Sequence, residues 1–264
     1  MSIPESGFPR AAAVSPRVQV VETTGSTNTD VVAAAAADPE GWPHLALLLT
    51  TDQRSGRGRL DRTWTAPPGS ALAVSVLVRV PRIPAASRGW IPLAAGAAMT
   101  RAIEHQLTGT GANPTLKWPN DVLVDGLKIC GILAEAVPGE PDAVVVGAGV
   151  NTRMSRTDLP VTTAVSFAAL GLTADEDRLL ADYLTGLDRM LRDLGDAGGD
   201  PDASGVRGRI RERCATIGSP VTVSLPDGTV LTGVATDIDA HGRLIVETAG
   251  DEVAIAAGDI THLR

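Results

Sequence analysis

Residues Gln53 to Trp64 read Q-R-S-G-R-G-R-L-D-R-T-W, with Arg54, Arg57, Arg59 and Arg62 set against a single acid, Asp61, in a chain whose formal net charge is -8. A local reversal of charge in an acidic protein calls for an anion. Guanidinium groups are planar forks that grip carboxylate or phosphate oxygens in pairs, and glycine lets a backbone approach a ligand closely and take positive φ. Gln53 adds a polar fixing group at one end and Trp64 a flat apolar surface at the other, both common in small-molecule pockets. A bare G-R-G-R also reads as a solvated loop or an RGG-like nucleic-acid segment. The flanks favour a pocket for a small, doubly anionic ligand.

Outward from this loop the chain alternates strands and helices. Leu45 to Thr50 is an apolar strand that runs straight into it, a strand-end position where functional loops are often carried. Before that, Val18 to Glu22 reads as a short strand, T-T-G-S-T-N breaks it, and a helix opens at D-V-V-A-A-A-A-A with Ser26 or Asn28 as its cap. Residues 1–16, rich in Ala, Pro and Ser, read as a flexible leader. Past the loop, Ser70 to Val80 is strand-like and Trp90 to Leu107 has apolar residues at helical spacing. Three short strands follow near Thr115 to Trp118, Val122 to Val124 and Lys128 to Ala136, with a D-G turn at Asp125 and Gly126. Asp142 to Val150 is a further strand, Asp175 to Leu194 a helix, and Val206 to Cys214 a short helix after a polar connector. From Ile217 short alternating runs are split by P-D-G, D-A-H-G and A-G-D turns, which predicts five strands in a small SH3-like barrel. The expected units are therefore 1–16, 17–215 and 216–264.

Composition narrows the function. At 264 residues, 44% hydrophobic and 20% charged, the chain is long enough for one large and one small domain and reads as ordinarily globular. The acidic balance argues against a broad nucleic-acid or membrane-surface binder, whose footprint is a basic face. Cys130 and Cys214 have no metal-ligand spacing and read as free thiols in a reducing cytoplasm. The start, M-S-I-P-E-S-G-F-P-R, lacks the pattern of a signal peptide, and no apolar run approaches the ~20 residues of a membrane helix. The four histidines are scattered without i, i+4 pairs, which argues against a histidine metal site.

Three further constellations carry polar chemistry. K-W-P-N-D spans Lys117 to Asp121, and Lys128 follows in L-K-I-C-G-I-L; each lysine bounds an apolar strand, so it either escapes to solvent or faces an anion. Asn120 and Asp121 offer oxygens to a metal ion or to the backbone amides of a turn. T-G-S-T-N, Thr24 to Asn28, is both a helix cap and a set of hydroxyls and amides able to face a polar ligand. G-A-G-V-N, Gly147 to Asn151, puts glycine at alternate strand positions, as in a tightly packed strand or one on which another group lies flat. Together these segments hold arginines, lysines, amides, hydroxyls and one useful carboxylate, without a Ser/His/Asp set or a paired general acid and base. The chemistry they suit is the management of negative charge. Bringing a carboxylate up to an α-phosphate meets repulsion of about several kcal/mol at low dielectric, which fixed cations offset. Acyl-adenylate formation fits that description.

Gln53 ahead of G-R-G-R-x-x-R-x-W, then K-W-P-N-D, the eleven-residue step from Lys117 to Lys128, G-I-L-x-E from Gly131 and G-x-G-x-N from Gly147 resemble, in this order, the biotin protein ligases over residues 20 to 264. The resemblance implies an α+β fold, a mixed β-sheet catalytic domain flanked by helices like that of class II aminoacyl-tRNA synthetases and biotin synthetases, with a small C-terminal SH3-like β-barrel. It implies that biotin and ATP with Mg2+ give biotinyl-5'-AMP, and that a lysine of the biotin carboxyl carrier domain of acyl-CoA carboxylases then takes the biotin. Carried over, Ser26, Thr27, Asn28, Gln53 and Gly131 would line biotin, and Arg57, Gly58 and Arg59 would close over biotin and phosphate. Lys128, with Arg57 and Arg59, would stabilise the reacting charges. Arg59, Arg62, Trp64, Lys117, Asn120, Asp121 and Asn151 would lie on the nucleotide side, with Asp121 the candidate Mg2+ ligand. Leu60-Asp61 stands where the family often has Arg-Gly, and Cys130 replaces a common small residue. Nothing ahead of Val18 reads as a winged helix-turn-helix, so the likeness is to ligase-only members and no nucleic-acid partner is expected. The oligomeric state, monomer or weak homodimer, stays open. A lipoate or octanoate ligase is the nearest alternative, and a non-catalytic nucleic-acid module a more distant one.

Overall fold

The computed structural model describes residues 7–60, 62–256 and 258–262. Helix α1 (Pro9–Val14) begins with proline at the helix start, where the missing N–H costs nothing. Its first free amides are satisfied from far along the chain: Arg10 N and Ala11 N each donate to the Asp177 carboxylate at 3.0 Å. Phe8 and Ala11 are buried in the main core. The reading of residues 1–16 as a flexible leader is thus corrected over Phe8 to Val14; residues 1–6 lie outside the described residues.

Strand β1 (Val18–Val20) leads to α2 (Thr27–Ala37), which is capped by Ser26 through a bond from Thr29 N. Strand β2 (Leu47–Thr50) is buried along its whole length because both faces are covered. Leu47 and Leu49 join the large core, whereas Leu48 joins a smaller one with Val31 and Ala35 of α2, the period of two that a strand imposes. The arginine segment folds back on itself as a two-residue pair, β3 (Gly56–Arg57) with β4 (Thr63–Trp64). Then come β5 (Ala71–Arg79), α3 (Trp90–Gln106), β6 (Pro114–Lys117), β7 (Asp121–Val124), β8 (Leu127–Val137) and β9 (Glu140–Asn151). Asp125 and Gly126 both have positive φ, 50° and 80°, as a two-residue hairpin turn demands. Helix α4 (Glu176–Asp196), capped by Asp175, and α5 (Val206–Arg211) complete the large unit.

The large sheet runs β1-β2-β5-β9-β8-β7-β6, antiparallel except between β1 and β2. Helices α3 and α4 share the larger core with one sheet face, and α2 packs against the other. The expected mixed sheet flanked by helices is therefore present. The second sheet holds β10 (Pro220–Ser224), β11 (Val230–Ile238), β12 (Leu244–Glu247), β13 (Glu252–Ile255) and β14 (Asp259–His262). It is antiparallel throughout, with β13 and β14 at its edges among the described residues. Its inner residues Val221, Val223, Leu244 and Val246 belong to the same core as the large sheet. Two buried indoles fasten the units: Trp90 Nε1 donates to Ala240 O at 2.9 Å and Trp118 Nε1 to Gly242 O at 3.0 Å. No described helix is long and apolar enough to cross a membrane.

The docking of α1 can be tested by stability. Phe8→Ala should cost about 3 kcal/mol in urea unfolding, as for other buried phenylalanines. Val161→Ala, at a position 55% exposed, should stay within about 0.5 kcal/mol. Equal midpoints for the two variants would mean that α1 is not part of the core.

Candidate active site

A cavity of about 340 Å³ opens where the first turn of α2, the β3–β4 hairpin, the strands β7 to β9 and the edge strand β14 meet. It brings together Ser26, Thr27, Asn28, Gln53, Arg57, Gly58, Arg59, Arg62, Trp64, Lys117, Asn120, Asp121, Lys128 and Gly131. Of the residues that the family resemblance assigns to biotin or nucleotide, Asn151 alone is not in its lining.

The polar end is built on the start of α2. Thr27 N donates to Gln53 Oε1 at 2.8 Å, and the Thr27 hydroxyl reaches the same oxygen at 3.0 Å. Ser75 Oγ of β5 lies 2.8 Å from Thr27 Oγ1 and 2.6 Å from Asn28 Oδ1. Asn28 Nδ2 donates to Leu133 O at 3.2 Å and to Glu135 Oε2 at 2.8 Å. Glycine is required beside this network. A Cβ on Gly147 would overlap the Asn28 carboxamide, and one on Gly149 would lie 2.7 Å from the Trp64 indole. The alternate glycines of G-A-G-V-N therefore let two side chains lie flat on β9, as one of the two sequence readings anticipates.

Five cations face the cavity, and three are held by acids from other segments. Arg57 Nη2 donates to Glu135 Oε2 at 2.6 Å, Lys128 Nζ is 2.6 Å from Asp121 Oδ1, and Arg62 pairs with Asp259. Arg59 and Lys117 have no acidic partner among the described residues; Arg59 Nη1 meets only Asn120 Oδ1, at 3.4 Å. Burial pushes the pKa of both down, with Asp121 offsetting part of the effect. Asn120 is itself fixed to β8, its Nδ2 donating to Ile132 O at 2.6 Å and Ile132 N to Asn120 O at 2.8 Å.

Asn151 lies behind Lys128. Its Nδ2 donates to Val165 O at 2.9 Å and stands 3.5 Å from Lys128 O, while Lys128 N donates to Thr163 O and Val165 N to Lys128 O, both at 2.8 Å. The side chain thus anchors the segment 163–165 alongside the lysine backbone. Cys130, next to Gly131, is fully buried, which pushes its thiol pKa upward and keeps it a core residue.

Residues that sequence reasoning passed over complete the site. Ser75 and Ala73 sit on a strand whose pattern looks wholly structural, Glu135 closes the G-I-L-x-E stretch without a local sign of its role, and Asp259, Ile260 and Thr261 come from the C-terminal sheet. Behind the K-W-P-N-D turn, Trp118 N and His262 Nε2 both meet Thr216 Oγ1, at 3.0 and 3.1 Å. No three His, Cys, Asp or Glu side chains converge among the described residues. Asp121 with Asn120 offers few oxygens, a donor set that suits Mg2+ brought by phosphates and still carrying waters.

A depressed lysine pKa means that protonated Lys117 opposes folding at every pH below its folded-state pKa, and that this penalty disappears above the ordinary value of 10.5. Lys117→Met should therefore melt at a higher temperature than the parent at pH 7, with the gap closing as pH rises past about 10.5. Identical melting temperatures across that range would show that the site does not strain the lysine.

Comparison with known proteins agrees with this architecture. Residues 20–151 match the biotin/lipoate A/B protein ligase family and residues 216–263 the biotin protein ligase C-terminal domain. The chain is 38% identical over 251 residues to the biotin–[acetyl-CoA-carboxylase] ligase of Mycobacterium tuberculosis, covering 94% of this chain and 90% of that one. It is 30% identical to the bifunctional ligase/repressor BirA of Bacillus subtilis, covering 83% of this chain and 66% of that one. The fold is shared with the biotin protein ligase from Aquifex aeolicus in complex with biotin and ATP, at a TM-score of 0.74, 21% identity, and coverage of 94% of this chain and 99% of that one. The chain belongs to the biotin/lipoate A/B protein ligase family and, within it, to the biotin protein ligases.

Proposed function

We propose that the chain joins biotin to ATP, giving biotinyl-5'-AMP and pyrophosphate, and then passes biotin to a lysine of the biotin carboxyl carrier domain of an acyl-CoA carboxylase. The observation that carries this reading is the convergence of Arg57, Arg59, Arg62, Lys117 and Lys128, drawn from separate segments, on one cavity with a polar end and a flat indole. In the first step a biotin carboxylate oxygen attacks the α-phosphorus and the bond to pyrophosphate breaks. At about 4 Å and an effective dielectric of ~20, two unit charges repel by about 4 kcal/mol, so the attack needs cations already in place. Lys128 supplies one where carboxylate and α-phosphate meet. Asp121, at 2.6 Å, keeps its ammonium aimed inward, and Asn151 holds its backbone from behind.

Ser26, Thr27, Asn28 and Gln53 present fixed donors and acceptors to the ureido end of biotin, and Gly131 leaves room for its chain. Arg57, Gly58 and Arg59 cover the junction of biotin and phosphate. Arg62, Trp64, Lys117, Asn120 and Asp121 take the nucleotide side, where Asp121 with Asn120 would hold an Mg2+ ion that would neutralise phosphate charge. In the second step a neutral lysine amine attacks the acyl carbon, the bond to AMP breaks and the amine sheds a proton. A cytoplasmic location, where the carrier, ATP and two free buried cysteines coexist, belongs to the same reading.

Biotin-dependent exchange of pyrophosphate into ATP is the test, and a folded protein without it would refute the reading. Lys128→Ala should lower exchange by about 10²–10³, the scale for losing one group that stabilises transition-state charge. Arg59→Ala should mainly speed escape of the adenylate. Exchange by Lys128→Ala at the parental rate would remove that lysine from the mechanism.

A further inference from the structure

Glu135 belongs to none of the roles above, yet it touches two of the elements that hold biotin in the proposed reading. Its Oε2 accepts from Asn28 Nδ2 at 2.8 Å and from Arg57 Nη2 at 2.6 Å. The carboxylate is three-quarters buried, while the guanidinium it holds is half exposed. An exposed arginine–glutamate pair alone is a weak tether. Here the acid is anchored from below by Asn28, an amide only 5% exposed, which is itself pinned by Ser75 and by Leu133 O and seated against Gly147.

Both N–H groups of Asn28 are used within the protein, so Glu135 fixes which way the amide faces the cavity. Without that acceptor, Asn28 would keep a buried donor without a partner, a costly state that rotation of the amide relieves. Arg57 spends Nη2 on Glu135 and keeps Nε and Nη1 for other partners. The contact therefore aims the arginine without consuming it.

We propose that Glu135 is a positioning residue that ties the β3–β4 arginine hairpin to the first turn of α2, holding Arg57 and Asn28 in register for biotin before any ligand arrives. It is a tether from sheet to loop and takes no part in proton or group transfer. The inference rests on the biotin-ligase reading for its kinetic arm alone.

Glu135→Gln keeps the size and removes the charge, and Glu135→Ala removes the contact; melting curves establish that each is folded, and the glutamine variant decides if the alanine variant is not. With neither biotin nor ATP present, trypsin should cut between Arg54 and Arg62 several times faster in the variants than in the parent. In pyrophosphate exchange the KM for biotin should rise about tenfold or more, the scale of a lost hydrogen bond to a charged group, while the KM for ATP stays near the parental value. A folded Glu135→Gln protein with parental cleavage rate and parental biotin KM would overturn the proposal. A parallel loss in kcat and in both KM values would do so too, since it marks general damage to the site. A parent without exchange activity would sink the ligase reading, whereas the trypsin arm, which needs no turnover, would still decide the tether.

Discussion

Five like charges around a cavity of about 340 Å³ repel one another, and acids from other strands offset three of them. Asp121 of β7 takes Lys128, Glu135 of β8 takes Arg57, and Asp259 of β14 takes Arg62. Arg59 and Lys117, which lack such a partner among the described residues, are the two whose pKa values are pushed down by burial. The site therefore retains a surplus of positive charge that only an anionic ligand neutralises. That surplus is a cost to the folded protein and a resource for the reaction.

The fold makes this convergence possible by geometry rather than by flexibility. Antiparallel β7, β8 and β9 bring Asp121 level with Gly131 and Gly131 level with Gly149, so acid, lysine and indole share one face. Gly149 accepts the Trp64 ring from the arginine hairpin, and Gly147 accepts Asn28 from α2. The C-terminal sheet is locked on by Trp90 and Trp118 and closes one side of the cavity with Asp259 to Thr261. No single segment carries the chemistry. What each supplies is a few charged or polar groups on a strand end, a tight hairpin or a helix start.

Much of this was legible from residue chemistry. Arginines in an acidic chain and lysines at the ends of apolar strands are locally improbable, so they announce a function, and all of them reach the cavity except the loop's first arginine, Arg54, which pairs with Asp52 outside its lining. Asp259, Ile260 and Thr261 gave no such signal, because D-I-T reads as an ordinary edge strand until tertiary contacts bring it to Arg62. The family resemblance implies a nucleotide contact for Asn151, but the strand turns its amide back toward Val165. Helix α1 was invisible for a different reason: six residues are too few for periodicity, and the groups that satisfy it, on Asp177, lie more than 160 positions away.

If converging cations are what let two anions approach, their mutual repulsion should vanish on this surface. Titration calorimetry of biotin into the protein saturated with a non-hydrolysable ATP analogue, set beside biotin into the free protein, measures that coupling directly. Biotin should bind at least as tightly to the nucleotide-saturated protein as to the free one. A loss of about tenfold or more, equivalent to 1.4 kcal/mol of uncancelled repulsion, would contradict it.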